Sequence, residues 1–181
     1  MDHYHYISHL ERIWKASVEK HRGGNRDPET YLSEEEISMI TQLGLSIMDI
    51  YDFAEDFAED GEPDFGTFTA IHDIRRSYFL EIQKGNPSGN VLEVGKLPAK
   101  EEEAAGIAWL PRIIPKARAK LKGELPGDLM YCCGGDRKFF KENNIHPAEF
   151  LRLVWAQGDE NEAIIKWVAK RRKTVANQGK V

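Results

Sequence analysis

The chain has 181 residues, 41% of them hydrophobic, with eight Phe and four Trp, enough apolar bulk for one core or two small ones. Charged residues make up 30% and the formal net charge is −5, which gives no overall attraction to nucleic acid or to an anionic membrane surface. No segment approaches the ~18 consecutive apolar residues of a spanning helix, and the two cysteines are neighbours, Cys132 and Cys133, which build no long-range disulfide framework.

Residues 2 to about 22 carry Ile7, Leu10, Trp14 and Val18 at spacings of three and four, one face of a helix that Gly23-Gly24-Asn25 ends. Ser33 and Glu36 form a capping box for the next helix, which the pattern carries unbroken to Asp60. Leu43, Ile47, Ile50, Ala54 and Phe57 lie along its apolar line, and Asp49, Asp52, Asp56 and Asp60 take the opposite face. After the turn Gly61-Glu62-Pro63-Asp64, a third helix runs from Phe65 to about Gln83 with Phe68, Ile71, Tyr78, Phe79 and Ile82 on its apolar face. Residues 1–84 thus read as a helical region in which 34–84 form a long antiparallel hairpin. Turn residues crowd 85–102, which reads as a linker.

A second helical unit is expected over 103–173, followed by a frayed tail, 174–181. Leu110-Pro111-Arg112 opens a helix with Ile114, Ala117 and Leu121 on one face and stops at Gly123, Pro115 fitting best in a first turn. A short extended piece, Leu129 to Cys133, leads through two glycines to Asp136, the expected N-cap of a helix ending at Asn143. Pro147 starts the helix with Phe150, Leu151 and Val154, and Asp159 with Glu162 caps the last, which bears Ile164, Ile165, Trp167 and Val168. The fold class is mainly α, an N-terminal helical hairpin packed with a small helical C-terminal unit.

The segment LPRIIPKARAKLKGELPG, then YCCGGD, then the helices ending in IIKWV, resembles the bacterial family known as domain of unknown function 5069. Leu110, Pro111, Arg112, Lys116, Arg118, Gly123, Tyr131, Cys133, Asp136 and Trp167 match its pattern, across roughly residues 104 to 169. The helical stretch before it resembles an N-terminal extension that some members carry. The resemblance implies a domain boundary and no reaction.

Some residues stand where packing alone does not put them. Arg75 lies at the centre of the apolar arc of its helix, where an unpaired charge would cost on the order of 3 to 5 kcal/mol. Glu55 is its expected partner, with Asp52 or Asp56 in reserve. His72, one turn away, completes a carboxylate, guanidinium and imidazole cluster that either binds a small anion or moves protons, or else fixes the hairpin register. Arg118 falls beside Ile114 and Leu121, with Asp136 or a backbone carbonyl as expected partner, while Arg112, Lys116 and Lys120 point away. Arg118 and Lys116 together would make an anion clamp, and the alternative is a snorkelling arginine.

Cys132 and Cys133 precede a helix start, a setting that activates thiols. No His is adjacent in sequence, however, and a buried, inert Cys133 is the expected state. His3, His5 and His9 with Asp2 could gather a metal, but a chain terminus preorganises ligands poorly, and the aspartate stripe lacks the Glu-x-x-His pairs of di-iron bundles. No metal and no cofactor are expected. Two functions remain open: a helical module that binds a protein partner, or a small-anion-binding protein or enzyme whose pocket, expected between the hairpin and the second unit, is lined by Glu55, His72, Arg75, Arg118, Cys133 and Asp136. Nucleic-acid binding through Arg112, Lys116, Lys120, Lys122 and residues 170–173 is disfavoured by the acidic remainder of the chain. The paired cysteines and the absence of a secretory pattern at the N-terminus point to the cytoplasm.

Overall fold

A computed structural model describes residues 3–178. The chain forms two compact units, residues 1–88 and 89–181. It is mainly α: eight helices and one two-stranded hairpin are present among the described residues, and no helix there is long and apolar enough to cross a membrane.

In the first unit, α1 (Tyr6–Arg22) lies against α3 (Ile47–Asp60) and α4 (Phe65–Glu81). Trp14 is the hinge of this packing, its ring 4.7 Å from Phe57 and 5.5 Å from Phe65. The buried face of α1 is rotated from the expected one. Ile13, Ser17 and His21 join Leu10, Trp14 and Val18 inside, and Ile7 is exposed.

The helix expected over 34–60 is two helices. The Ser33 capping box opens α2 (Glu34–Gln42), and a second box, Ser46 with Asp49, opens α3. Between them Gly44 takes φ +73°, and a Cβ there would lie 2.5 Å from Cγ of Phe79. Only glycine satisfies both the left-handed backbone and the close approach. Side chains of α3 and α4 still meet in antiparallel order, Asp49 beside His72 and Phe53 against Phe68 and His72. The far end of α4 departs from the expected face, Ile74 being buried and Ile82 exposed.

The second unit begins with the turn-rich stretch, which is anchored: Leu92 N–H donates to the carbonyl of Glu124, and Arg112 donates to that of Pro98. Strands β1 (Glu103–Ala104) and β2 (Ile107–Ala108) pair around Ala105-Gly106, and β1 lies against α5 (Leu110–Lys122). Pro115 sits inside α5, since the helix starts at Leu110 from a Trp109 in the left-handed region. The expected extended piece 129–133 is not a strand but irregular chain with a turn at Tyr131-Cys132, and α6 (Gly134–Glu142) is capped by Cys133, with Asp136 inside its first turn. Helix α7 (Pro147–Gln157) bridges α5 and α8 (Asn161–Gln178). Of the expected frayed tail, residues 174–178 continue α8 as helix and 179–181 fall outside the described residues, as does Asp2 of the expected terminal metal group.

Two phenols of the first unit are held neutral to high pH. Burial, then the bond to Asp73, pushes Tyr6 up to about 12; burial, then Glu55, pushes Tyr51 up to about 12. Because the unfolded phenols ionise near 10, this contribution is complete below pH ~10 and is lost as pH rises toward 12. Tyr51→Phe should therefore flatten the alkaline decline, read as urea midpoints between pH 9 and 12. A second test separates backbone from packing: Gly44→Ala should cost clearly more than Gly61→Ala. Both positions are left-handed, at about 1–2 kcal/mol each, but only Gly44 faces Phe79. Equal urea midpoints would show that the Phe79 approach does not matter.

Candidate functional site

The residues singled out from sequence fall into both units. In the first, Glu55 is not the partner of Arg75: it accepts from Tyr51 Oη at 3.2 Å and groups with His21 and Glu59. Arg75 is buried as expected, but it donates through Nη1 to Gln83 Oε1 at 2.7 Å and stacks over the Phe79 ring. His72 Nδ1 is 2.7 Å from the Phe68 carbonyl, to which it donates, and Nε2 is 3.7 Å from Asp49 Oδ1. Glu55 points to α1 because α1, not α4, covers that edge of α3.

In the second unit Arg118 takes the backbone alternative. Its Nε and Nη2 both donate to the carbonyl of Gly158, at 2.9 and 2.8 Å, closing the C-terminus of α7. Arg118 is thus engaged at the end of α7, where its Nε also lies 3.9 Å from Asp159 Oδ1, while Lys116 is engaged with Asp136.

Asp136 is the centre of a cluster. Its side chain is fully buried and accepts three bonds: from Lys116 Nζ at 2.6 Å, from Trp109 Nε1 at 2.8 Å and from Cys132 N–H at 2.9 Å. Lys116, expected to point away, is 1% exposed, and Lys120 is buried too. Ile113, Lys116, Ala117 and Lys120 form a second buried strip on α5 at the same three-and-four spacing, so the helix is covered on more than one side. The same ammonium lies 3.5 Å from Cys133 Sγ.

Cys133, expected to be buried, is half-buried, and its neighbour is the buried thiol. Cys132 is fully buried with φ +78°, its N–H tied to Asp136, and Cys133 is half-buried as the N-cap of α6. Gly135 completes the arrangement, because a Cβ there would lie 2.6 Å from the Trp109 ring. Sequence reasoning missed Trp109 and misplaced Lys116. The readable signal was the second apolar-spaced strip on α5; nothing in the pattern announced the indole.

Tyr131, beside this cluster, donates to the Pro147 carbonyl, and burial raises its phenol well above the usual value. A hollow of about 180 Å³ elsewhere in the unit, lined by Glu103, Gly106, Ile107, Ala108, Glu142, Asn143 and Arg172, is small beside ordinary ligand pockets of roughly 300–1,000 Å³. The exposed large apolar residues Tyr4, Ile7, Ile82, Val91 and Val94 do not by themselves mark an interface.

Residues 97–181 match the model of a protein family described as Domain of unknown function (DUF5069). The whole Trp109–Asp136 cluster falls in the matched part, and the N-terminal portion lies outside it. The family description assigns no activity. No curated protein and no solved structure matches the chain.

The buried pair makes a quantitative claim. Lys116→Met strands the Asp136 carboxylate and should cost about 3–5 kcal/mol, while Asp136→Asn added to it should return part of the loss. A double-mutant cycle from urea denaturation should give a coupling of about 1–3 kcal/mol. A coupling near zero would mean that the two charges do not act on each other.

Proposed function

We propose that the second unit binds a small anion at the head of α6, with the Cys133 thiol in the binding position. The observation that carries this reading is the Lys116 ammonium, buried yet 3.5 Å from a half-exposed Cys133 sulfur. Cys133 gives the helix start no side-chain hydrogen bond. Gly134 and Gly135 therefore open α6 with N–H groups that have no intrahelical acceptor, and such a start favours negative charge. Asp136 balances the lysine, so the excess positive character at the mouth comes from the helix start.

The ligand class is a phosphate or carboxylate on a small molecule. Among the described residues no imidazole lies within hydrogen-bonding distance of Cys133, so the reading is binding rather than acyl transfer through a cysteine–histidine pair. The match of residues 97–181 supports a role resident in this unit, because it contains every residue of the cluster. A reducing, cytoplasmic setting goes with the reading, since a half-exposed thiol beside a second cysteine is best preserved there, and a bacterial source rests on the family resemblance alone.

Alkylation tests it. With Cys133 accessible and Cys132 buried, iodoacetamide should modify Cys133 in native protein and Cys132 only after unfolding. Relative to the unfolded chain, Cys133 should prefer the anionic reagent iodoacetate over neutral iodoacetamide, and millimolar inorganic phosphate should protect it. No preference for iodoacetate and no protection by phosphate would overturn the proposal.

A further inference from the structure

A second polar group lies in the first unit, apart from the thiol cluster. His21, in the last turn of α1, faces Glu55 and Glu59, one turn apart on α3. One ligand atom from each lies within 4.8 Å of the others, and His21 Nε2 is 3.1 Å from Glu59 Oε1. The histidine side chain is 1% exposed and that of Glu59 58%, so the group is rooted in the core and open on one side.

The hydrogen bonds behind the imidazole decide what Nε2 presents. Tyr31 Oη is 2.8 Å from the Asn25 carbonyl and 3.2 Å from His21 Nδ1. A phenol has one proton, and a carbonyl can only accept, so Tyr31 donates to Asn25 and its oxygen accepts from Nδ1–H. Neutral His21 then turns the lone pair of Nε2 toward two carboxylates, an arrangement of acceptors that needs a cation among them: a proton on Nε2 or a metal ion. Tyr51 Oη lies 3.2 Å from Glu55 Oε1 and 3.4 Å from the Arg26 carbonyl; its one proton goes to the nearer, charged acceptor and orients that ligand as Tyr31 orients the imidazole. Partners of this kind behind the ligands are what fix metal sites. The guanidinium of Arg26 does not fill the gap, since its Nη1 donates to the carbonyls of His21 and Asn25.

We propose that His21, Glu55 and Glu59 bind one divalent transition-metal ion. One imidazole and two carboxylates suit Zn²⁺, Co²⁺ or Mn²⁺ better than a copper site of thiolates or an all-oxygen Ca²⁺ site, and three protein ligands leave a position for water or a further ligand. The ion would join the end of α1 to α3. This inference is independent of the anion site in the second unit.

The test uses the full chain, stripped of metal with a chelator and carrying His3→Ala, His5→Ala and His9→Ala, so that the terminal histidines cannot bind. Titration with Co²⁺, followed by visible absorption and calorimetry, should show one ion per chain, and Zn²⁺ should displace it and raise the melting temperature. Glu59→Gln, at an exposed position, should lower Co²⁺ affinity about tenfold or more, Tyr31→Phe should lower it several-fold with less effect on folding, and Glu19→Gln should leave it unchanged. The inference is overturned if this chain binds no ion, or if Glu59→Gln and Glu55→Gln bind as tightly as their parent.

Discussion

The second unit is organised by one buried carboxylate. Asp136 has no contact with water, so its charge must be matched inside the protein, and three donors from three points of the chain do this: the Trp109 indole, the Lys116 ammonium and the Cys132 amide. Each bond fixes something else. Lys116 is held within α5 instead of reaching solvent, the indole is laid over Gly135, and the backbone at Cys132 is bent into the left-handed region. That bend turns one thiol inward and leaves its neighbour at the mouth of α6. The accessibility of Cys133 is thus a consequence of where the Asp136 charge is satisfied.

The first unit solves the same problem at its edges. Its interior is aromatic and aliphatic around Trp14, Phe53 and Phe68, while the ionisable groups at its margin are oriented by phenols. Tyr31 and Tyr51 are largely buried, with their hydroxyls directed at His21 and Glu55; burial raises both phenols, against the opposing charge of Arg26 at Tyr31 and reinforced by Glu55 at Tyr51. A tyrosine is suited to this use because it fills core volume and still offers a polar end.

Periodicity and end signals made the helical class readable, as at the Ser33 box, the Pro147 start and the Gly123 stop. They failed where two signals overlapped. The apolar line from Leu43 to Phe57 continues through a break that Gly44 creates, and Ser46-x-x-Asp49 is a capping box with a shorter acid than the usual glutamate. The burial of Arg75 was legible because a charge on an apolar arc is visible in one helix, whereas Asp136 stood out only as an acid at a helix start, where the cap is in fact Cys133. Their partners were not legible: Arg75 reaches Gln83, just beyond the end of its own helix, while the surroundings of Glu55 and Lys116 are settled by which neighbouring helix covers each side, and spacing within one helix carries no such information. Which of the two cysteines is buried depended on a single backbone angle, φ +78° at Cys132.

A buried lysine–aspartate pair is weak evidence of selection for stability, because apolar residues of equal volume would often hold a core as well. The pair in the second unit comes with further local costs. Trp109 and Cys132 both occupy the left-handed region, which disfavours side chains of any size, and Gly135 gives up a Cβ to admit an indole. These features lie on separate stretches of chain and meet at one place, around one half-exposed sulfur. Packing would be served by relaxing each of them independently. Their coincidence is accounted for if the arrangement as a whole is what matters: a rigid helix start, an ammonium that cannot swing away and a thiol presented at a fixed position, which is the preorganisation a small charged ligand requires.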